Sequence, residues 1–204
     1  MKNNKTFTLV QLALLTAIEL ILAFTPIGYL RVGIVEITFM TIPIAVGAML
    51  LGPASSLFLG CVFGLTSFVQ CFGISVFGTT LFGINPLYTF ILCFVPRALM
   101  GWLTGVIFRA VRKVEQKGLI SFTAASCSAA LLNTIFFVLF FYLFFHGASL
   151  NLAGAVIDVS QMNILDVLVF IAGINGAVEV VVCTVLSTVL GKALVHLQKK
   201  VLPR

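Results

Sequence analysis

The chain has 204 residues, of which 61% are hydrophobic and 9% charged. Its mean hydropathy is +1.21. A soluble domain of this size carries roughly a quarter charged residues. The composition therefore excludes a water-soluble globule and points to a polytopic helical membrane protein, since lipid offers backbone groups no partners outside helices or closed barrels. The apolar runs are too continuous for the alternating pattern of a membrane barrel. The net charge of +6 is no nucleic-acid stripe. Its Lys and Arg residues flank the apolar segments, as topology signals do.

A span needs about 20 apolar residues, and six stretches qualify in chain order: 7–28, 36–52, 54–72, 87–110, 119–146 and 164–195. Together they predict one all-α transmembrane domain over 1–204. The first run lacks a small-residue cleavage site before a polar chain, so it reads as a span and not as a signal peptide. The second is short, contains Pro43, and is parted from the third by the Gly-Pro turn of "LGPAS". The fifth and sixth are long enough to tilt or project. Lys2 and Lys5, the 109–117 connection and the C-terminus hold most of the positive charge, while the connections after the third and fifth spans hold none. With six spans this sets both termini inside, Arg31 being the one residue on the wrong side. These two connections, rich in Gly and polar residues, have the length of binding loops.

Polar residues inside a span are costly and mark function by default. Here they are Glu19, Gln70, Arg97, Asn133, Asn175 and Glu179. Counting about 1.5 Å per residue puts Arg97 ~15 Å in from the outer end of its span, with Asn133 and Asn175 at a similar level. Glu179 follows Asn175 by four residues, on the same helix face. Two readings of Arg97 stay open. It can pair with Glu179 or Glu19, or cap free carbonyls. Alternatively its planar fork can take a ligand carboxylate or phosphate, where Pro96 bends the helix. Asn133 and Asn175 can read amides and hydroxyls or act as interhelical glue. Gln70, near the outer end of the third span, and Asn85, in the outer "GINP" turn, can border the ligand.

Small residues recur at four-residue spacing: Ala13 and Ala17, Gly60 and Gly64, Gly101 and Gly105. Such pairs let helix backbones approach closely. The Phe-rich run 136–145 reads as lipid-facing or packing bulk. The five cysteines have no metal-ligand spacing and read as small hydrophobes, with Cys71, near a loop, the one to watch. No catalytic or nucleotide-binding motif appears, which argues against an intramembrane enzyme and against ATP hydrolysis by the chain itself.

At this point the chain resembles a known family. Its six spans, the AxxxA pair of span one, "MTIPIAVGAMLLGPASSLFLGCVFGL" after it, and "FGTTLFGINPLYTFILCFVPRALMGWLTG" are similar to the substrate-binding S component of energy-coupling factor (ECF) transporters, pantothenate-type branch. The resemblance implies a high-affinity vitamin site open to the outside, with Arg97, Asn133, Asn175, Glu179, Gln70 and Asn85 as substrate-binding candidates. It implies a prokaryotic plasma-membrane location and partnership with a transmembrane coupling protein and two ATPases. Those ATPases use the ATP, and the chain itself binds no cofactor or metal. Ala13 and Ala17 match the alanines that face the coupling protein. Pantothenate, with one carboxylate, two hydroxyls and an amide, suits one arginine and a few amide side chains. Folate, biotin, riboflavin and pyridoxine are the other vitamins to consider, and a stand-alone transporter or channel is the alternative outside the family.

Overall fold

The computed structural model of the protein describes residues 3–26, 28–32, 35–115, 119–152 and 155–201. The chain forms helix α1 (Asn3–Phe24), a hairpin of β1 (Tyr29–Val32) and β2 (Val35–Thr38), and helices α2 (Thr41–Leu50), α3 (Pro53–Gln70), α4 (Val76–Ile84), α5 (Pro86–Val114) and α6 (Leu119–Phe145). A second hairpin, β3 (Ser149–Leu152) and β4 (Ala155–Asp158), leads through a 3-10 turn into α7 (Ile164–Ile171) and α8 (Gly173–Val201). Among the described residues, α1, α3, α5, α6 and α8 are long and apolar enough to cross a membrane.

Four of the expected spans coincide with α1, α3, α5 and α6, within a few residues at each end. The other two need correction. The stretch 36–52 is helical only over the ten residues of α2, ~15 Å of helix against ~30 Å of hydrocarbon. Its N-terminal part is strand β2. The stretch 164–195 is two helices, broken at Gly173, whose φ of +44° lies in the left-handed region that favours glycine. The two connections without Lys or Arg also carry structure. One holds α4, which starts where the Ser75 hydroxyl accepts a bond from Gly78 N–H. The other holds the second hairpin and its turn, where Asp158 accepts from both the N–H and the hydroxyl of Ser160. Those bonds hold the Asp158 carboxyl below its ordinary range.

Helix α2 lies at the centre, packed against α1, α3, α5, α6 and α8. Its Ile44, Ala45 and Ala48 are fully buried. Gly52, at φ +92°, makes the sharp turn into α3, and Pro53 opens that helix where no backbone donor is missed. One apolar core joins α1, α2, α3, α5 and α6 through Met40, Ile44, Leu59, Phe63, Met100 and Phe122. A second, through Leu81, Leu92, Phe141, Phe145, Leu150 and Val167, ties α4, α5 and α6 to the second hairpin and α7. The Phe-rich run thus divides. Phe141 and Phe145 are core, whereas Leu139 and Leu143 face outward.

Two of the three small-residue pairs meet each other. Gly60 lies against the Arg97 carbonyl and Gly101 against the Ser56 carbonyl. A Cβ on Gly64 would sit 2.8 Å from Phe94 Cα, and one on Gly105 2.5 Å from Pro53 Cα. Helices α3 and α5 therefore touch backbone to backbone, gaining dispersion contact that larger side chains would forbid. The third pair does the opposite. Ala13 and Ala17 are exposed, on a helix whose central window is 17% buried against 50% for α3.

Gly101→Leu forces these backbones apart and lowers stability by ~1–3 kcal/mol or more. The fluorescence of Trp102, the single tryptophan, followed on heating in detergent, reads the loss. Gly83→Leu, where an added Cβ meets nothing within 4 Å, shifts the same midpoint little.

Candidate ligand-binding site

Arg97 lies about two-fifths of the way along α5, directly after Pro96. Proline has no N–H to give the carbonyl four residues back, which here is that of Leu92. Arg97 Nη1 donates to this carbonyl at 2.7 Å. One arm of the guanidinium thus repairs the gap that its neighbour opens. The planar group also faces two rings, Phe137 at 4.6 Å and Phe63 at 5.4 Å from their centroids. Cation–π contacts of this kind strengthen where water is excluded. Arg97 Nε, by contrast, is buried without a partner. No carboxylate of a described residue lies within ion-pair distance of Arg97. Glu19, the other candidate partner, is fully buried on α1 with no bond to either oxygen.

Asn133 on α6 and Glu179 on α8 are both buried. They are neighbours, and the Arg97 guanidinium is within electrostatic reach of the Glu179 carboxylate. Glu179 Oε2 accepts from the Thr38 backbone N–H at 3.2 Å. The Cys183 thiol, four residues further along α8, donates to the Thr38 carbonyl at 3.5 Å. The end of the first hairpin is therefore held to α8 at both of its backbone groups. Glu179 Oε1 and Asn133 Oδ1 remain buried and unpartnered. The site so far comprises α3, α5, α6 and α8 with the end of β2: one cation lined by two aromatic faces, and two free oxygen acceptors beside it.

The remaining candidates fall elsewhere. Gln70 Nε2 donates at 2.6 Å to the Ala23 carbonyl, one of the open acceptors at the end of α1. Asn85 caps α5, its Oδ1 accepting from Leu87 N–H and Tyr88 N–H at 3.0 and 3.1 Å. Asn175 lies in the first turn of α8, and its side chain is outside those described. The depth counted for it along one unbroken helix from 164 does not hold, because α7 ends before Gly173. Among the described residues, no group of three or more His, Cys, Asp and Glu could hold a metal ion. Cys71 and Cys93 are buried with their sulfurs 3.7 Å apart, joining the end of α3 to α5.

Sequence reasoning missed Phe63, Phe137 and Thr38. Phe137 was within reach, because it follows Asn133 by four residues on one helix face. Thr38 contributes backbone groups, which carry no residue-type signal.

The Leu92 bond has a direct test. Arg97→Ala leaves a buried carbonyl open and costs ~1–3 kcal/mol of stability. In a Pro96→Ala background the restored N–H reaches that carbonyl, and the cost of Arg97→Ala falls by about 1 kcal/mol. Equal costs in both backgrounds, by thermal unfolding, would show that the carbonyl is not what Arg97 supports.

Comparison with known proteins agrees with this architecture. Residues 7–191 match the family described as the ECF transporter, substrate-specific component. A protein named pantothenate transporter PanT, from Leuconostoc mesenteroides subsp. mesenteroides, is 28% identical over 207 aligned positions, covering 98% of each chain. A pantothenic acid transporter PanT from Lactococcus lactis subsp. cremoris is 25% identical, over 78% of each. With nine-tenths of its length inside the family match, the chain belongs to the substrate-specific components of ECF transporters.

Proposed function

We propose that the protein is the pantothenate-binding S component of an ECF transporter, a multi-pass protein of the prokaryotic cell membrane that binds its vitamin from outside. The observation that carries the substrate class is Arg97. It is a permanent cation set between two aromatic faces, with its charge left uncompensated by any described carboxylate within ion-pair distance. A ligand carboxylate supplies the missing charge, through the charge-assisted bonds for which a guanidinium is shaped. Both curated relatives bear the name of a pantothenate transporter, and pantothenate has the single carboxylate this site calls for. Gln70 and Asn85, engaged with Ala23 and with the start of α5, drop out of the ligand set. Arg97, Asn133 and Glu179 stay in it.

The six-crossing topology with both termini inside rests on the charge distribution, with α2 and the first hairpin together standing for the second crossing. ATP hydrolysis belongs to partner ATPases. The chain contributes recognition, binds no cofactor, and meets a transmembrane coupling protein through α1. There Ala13 and Ala17 lie exposed among Leu9, Val10, Leu14 and Ile21, each more than half exposed. Such a strip suits close helix–helix contact.

Calorimetry on the purified protein in detergent, with pantothenate, folate, biotin, riboflavin and pyridoxine, tests the substrate. Pantothenate alone binds tightly. Arg97→Ala weakens it about 100-fold, the worth of a charge-assisted bond in a buried site, both alone and in the Pro96→Ala background. Tight binding of a different vitamin would retain the family and overturn the substrate. The docking face has its own readout. Ala13→Leu with Ala17→Leu lowers the coupling protein recovered on copurification about tenfold, from the cost of overpacking a close contact, while pantothenate affinity is unchanged.

A further inference from the structure

Native proteins seldom leave buried polar atoms unpaired, and each exception calls for an explanation. Here two exceptions lie side by side. Glu179 and Asn133 are each more than nine-tenths buried, and Glu179 Oε1 and Asn133 Oδ1 have no hydrogen bond. Thr38 N–H is already committed to Glu179 Oε2, and the Asn133 amide N–H lies on the Glu179 carboxylate, yet neither closes Glu179 Oε1 or Asn133 Oδ1. Arg97 has turned its Nη1 to Leu92 and forms no ion pair with Glu179. Both free atoms are acceptors, so what completes them must be a donor. The unpartnered Arg97 Nε has the opposite need. The site is therefore two-ended, with a donor end on α5 and an acceptor end on α6 and α8.

We infer that Glu179 and Asn133 are the specificity determinants of the site, accepting hydrogen bonds from the two hydroxyls of the ligand while Arg97 takes its carboxylate. This deepens the pantothenate reading and rests on it. Pantothenate has these groups at its two ends: a carboxylate on the β-alanine half and hydroxyls on the pantoyl half. The acceptor end also rejects. A monocarboxylic acid whose far end is alkyl leaves a buried carboxylate oxygen bare. A dicarboxylate sets a second negative charge against Glu179. Selection against a missing hydroxyl is strong for this reason: the penalty is the unpaired buried group and not the lost contact alone.

The test uses three ligands on the purified full chain by calorimetry: pantothenate, N-(3,3-dimethylbutanoyl)-β-alanine, which lacks both hydroxyls, and panthenol, which has an alcohol in place of the carboxylate. In the wild-type protein the dideoxy compound binds about 10–100-fold more weakly than pantothenate, as expected for unpairing a buried charged acceptor. Panthenol is weakened as well, through Arg97. In Glu179→Met the gap between pantothenate and the dideoxy compound closes to about threefold or less, since the site no longer distinguishes them. Equal wild-type affinities for those two would overturn the inference and leave pantothenate binding intact. A gap that survives unchanged in Glu179→Met would overturn it as well, by showing that the hydroxyls are read elsewhere. If the variant does not fold, the wild-type comparison still decides. Failure of the wild type to bind pantothenate at all would remove the substrate reading and this inference with it.

Discussion

A single open carbonyl organises the middle of this protein. In hydrocarbon every backbone polar group needs a partner within the protein, and Pro96 deprives Leu92 of its own. Arg97 supplies one, and in doing so fixes a guanidinium within the helix bundle, against Phe63 of α3 and Phe137 of α6. The structural reading of Arg97 and the functional one are therefore not rivals. The bond to Leu92 uses one nitrogen. The charge remains, aimed and held, for another purpose. Close packing of α3 on α5 holds the cation in place, since the carbonyl of Arg97 itself lies against Gly60.

Around that cation, three helices and a loop contribute by different means. Helix α6 supplies Asn133 and Phe137 from successive turns of one face. Helix α8 supplies Glu179 and Cys183, again four residues apart, and both engage the backbone of Thr38. The first hairpin is thus joined to the far end of the chain, 141 residues on, at the level of the site. A change at Glu179 reaches the hairpin as well as the neighbourhood of Arg97.

Much of this was legible in the residues. The rule that intramembrane polar groups are functional picked out Arg97, Asn133 and Glu179, which the fold brings into one neighbourhood. The same rule named Gln70, and the outer turn named Asn85; the structure engages both at helix ends, where polar side chains close carbonyls and N–H groups. Sequence marks the cost of such a residue but not which debt it settles. Composition identified α2 as apolar without showing that it stops after ten residues. A fully buried helix has no amphipathic period by which its length can be read. The hairpins were hidden for another reason: strands of four residues are too short for alternation to register. Gly60, Gly64, Gly101 and Gly105 were visible as two motifs, but that each is the other's partner is a fact of three dimensions.

The shortness of α2 also bears on how the molecule is made. A ten-residue segment is too brief to partition into a bilayer unaided, and this one turns almost no surface toward lipid. Its lodging exists only once α1, α3, α5, α6 and α8 have gathered around it. The sharp turn at Gly52 leashes it to α3, so the two can enter as one helical hairpin. Helix α8, which follows the others in the chain, then closes the final wall. The protein's centre is therefore complete only once α8 has joined it, and until then α2 depends on whatever shelters nascent membrane segments.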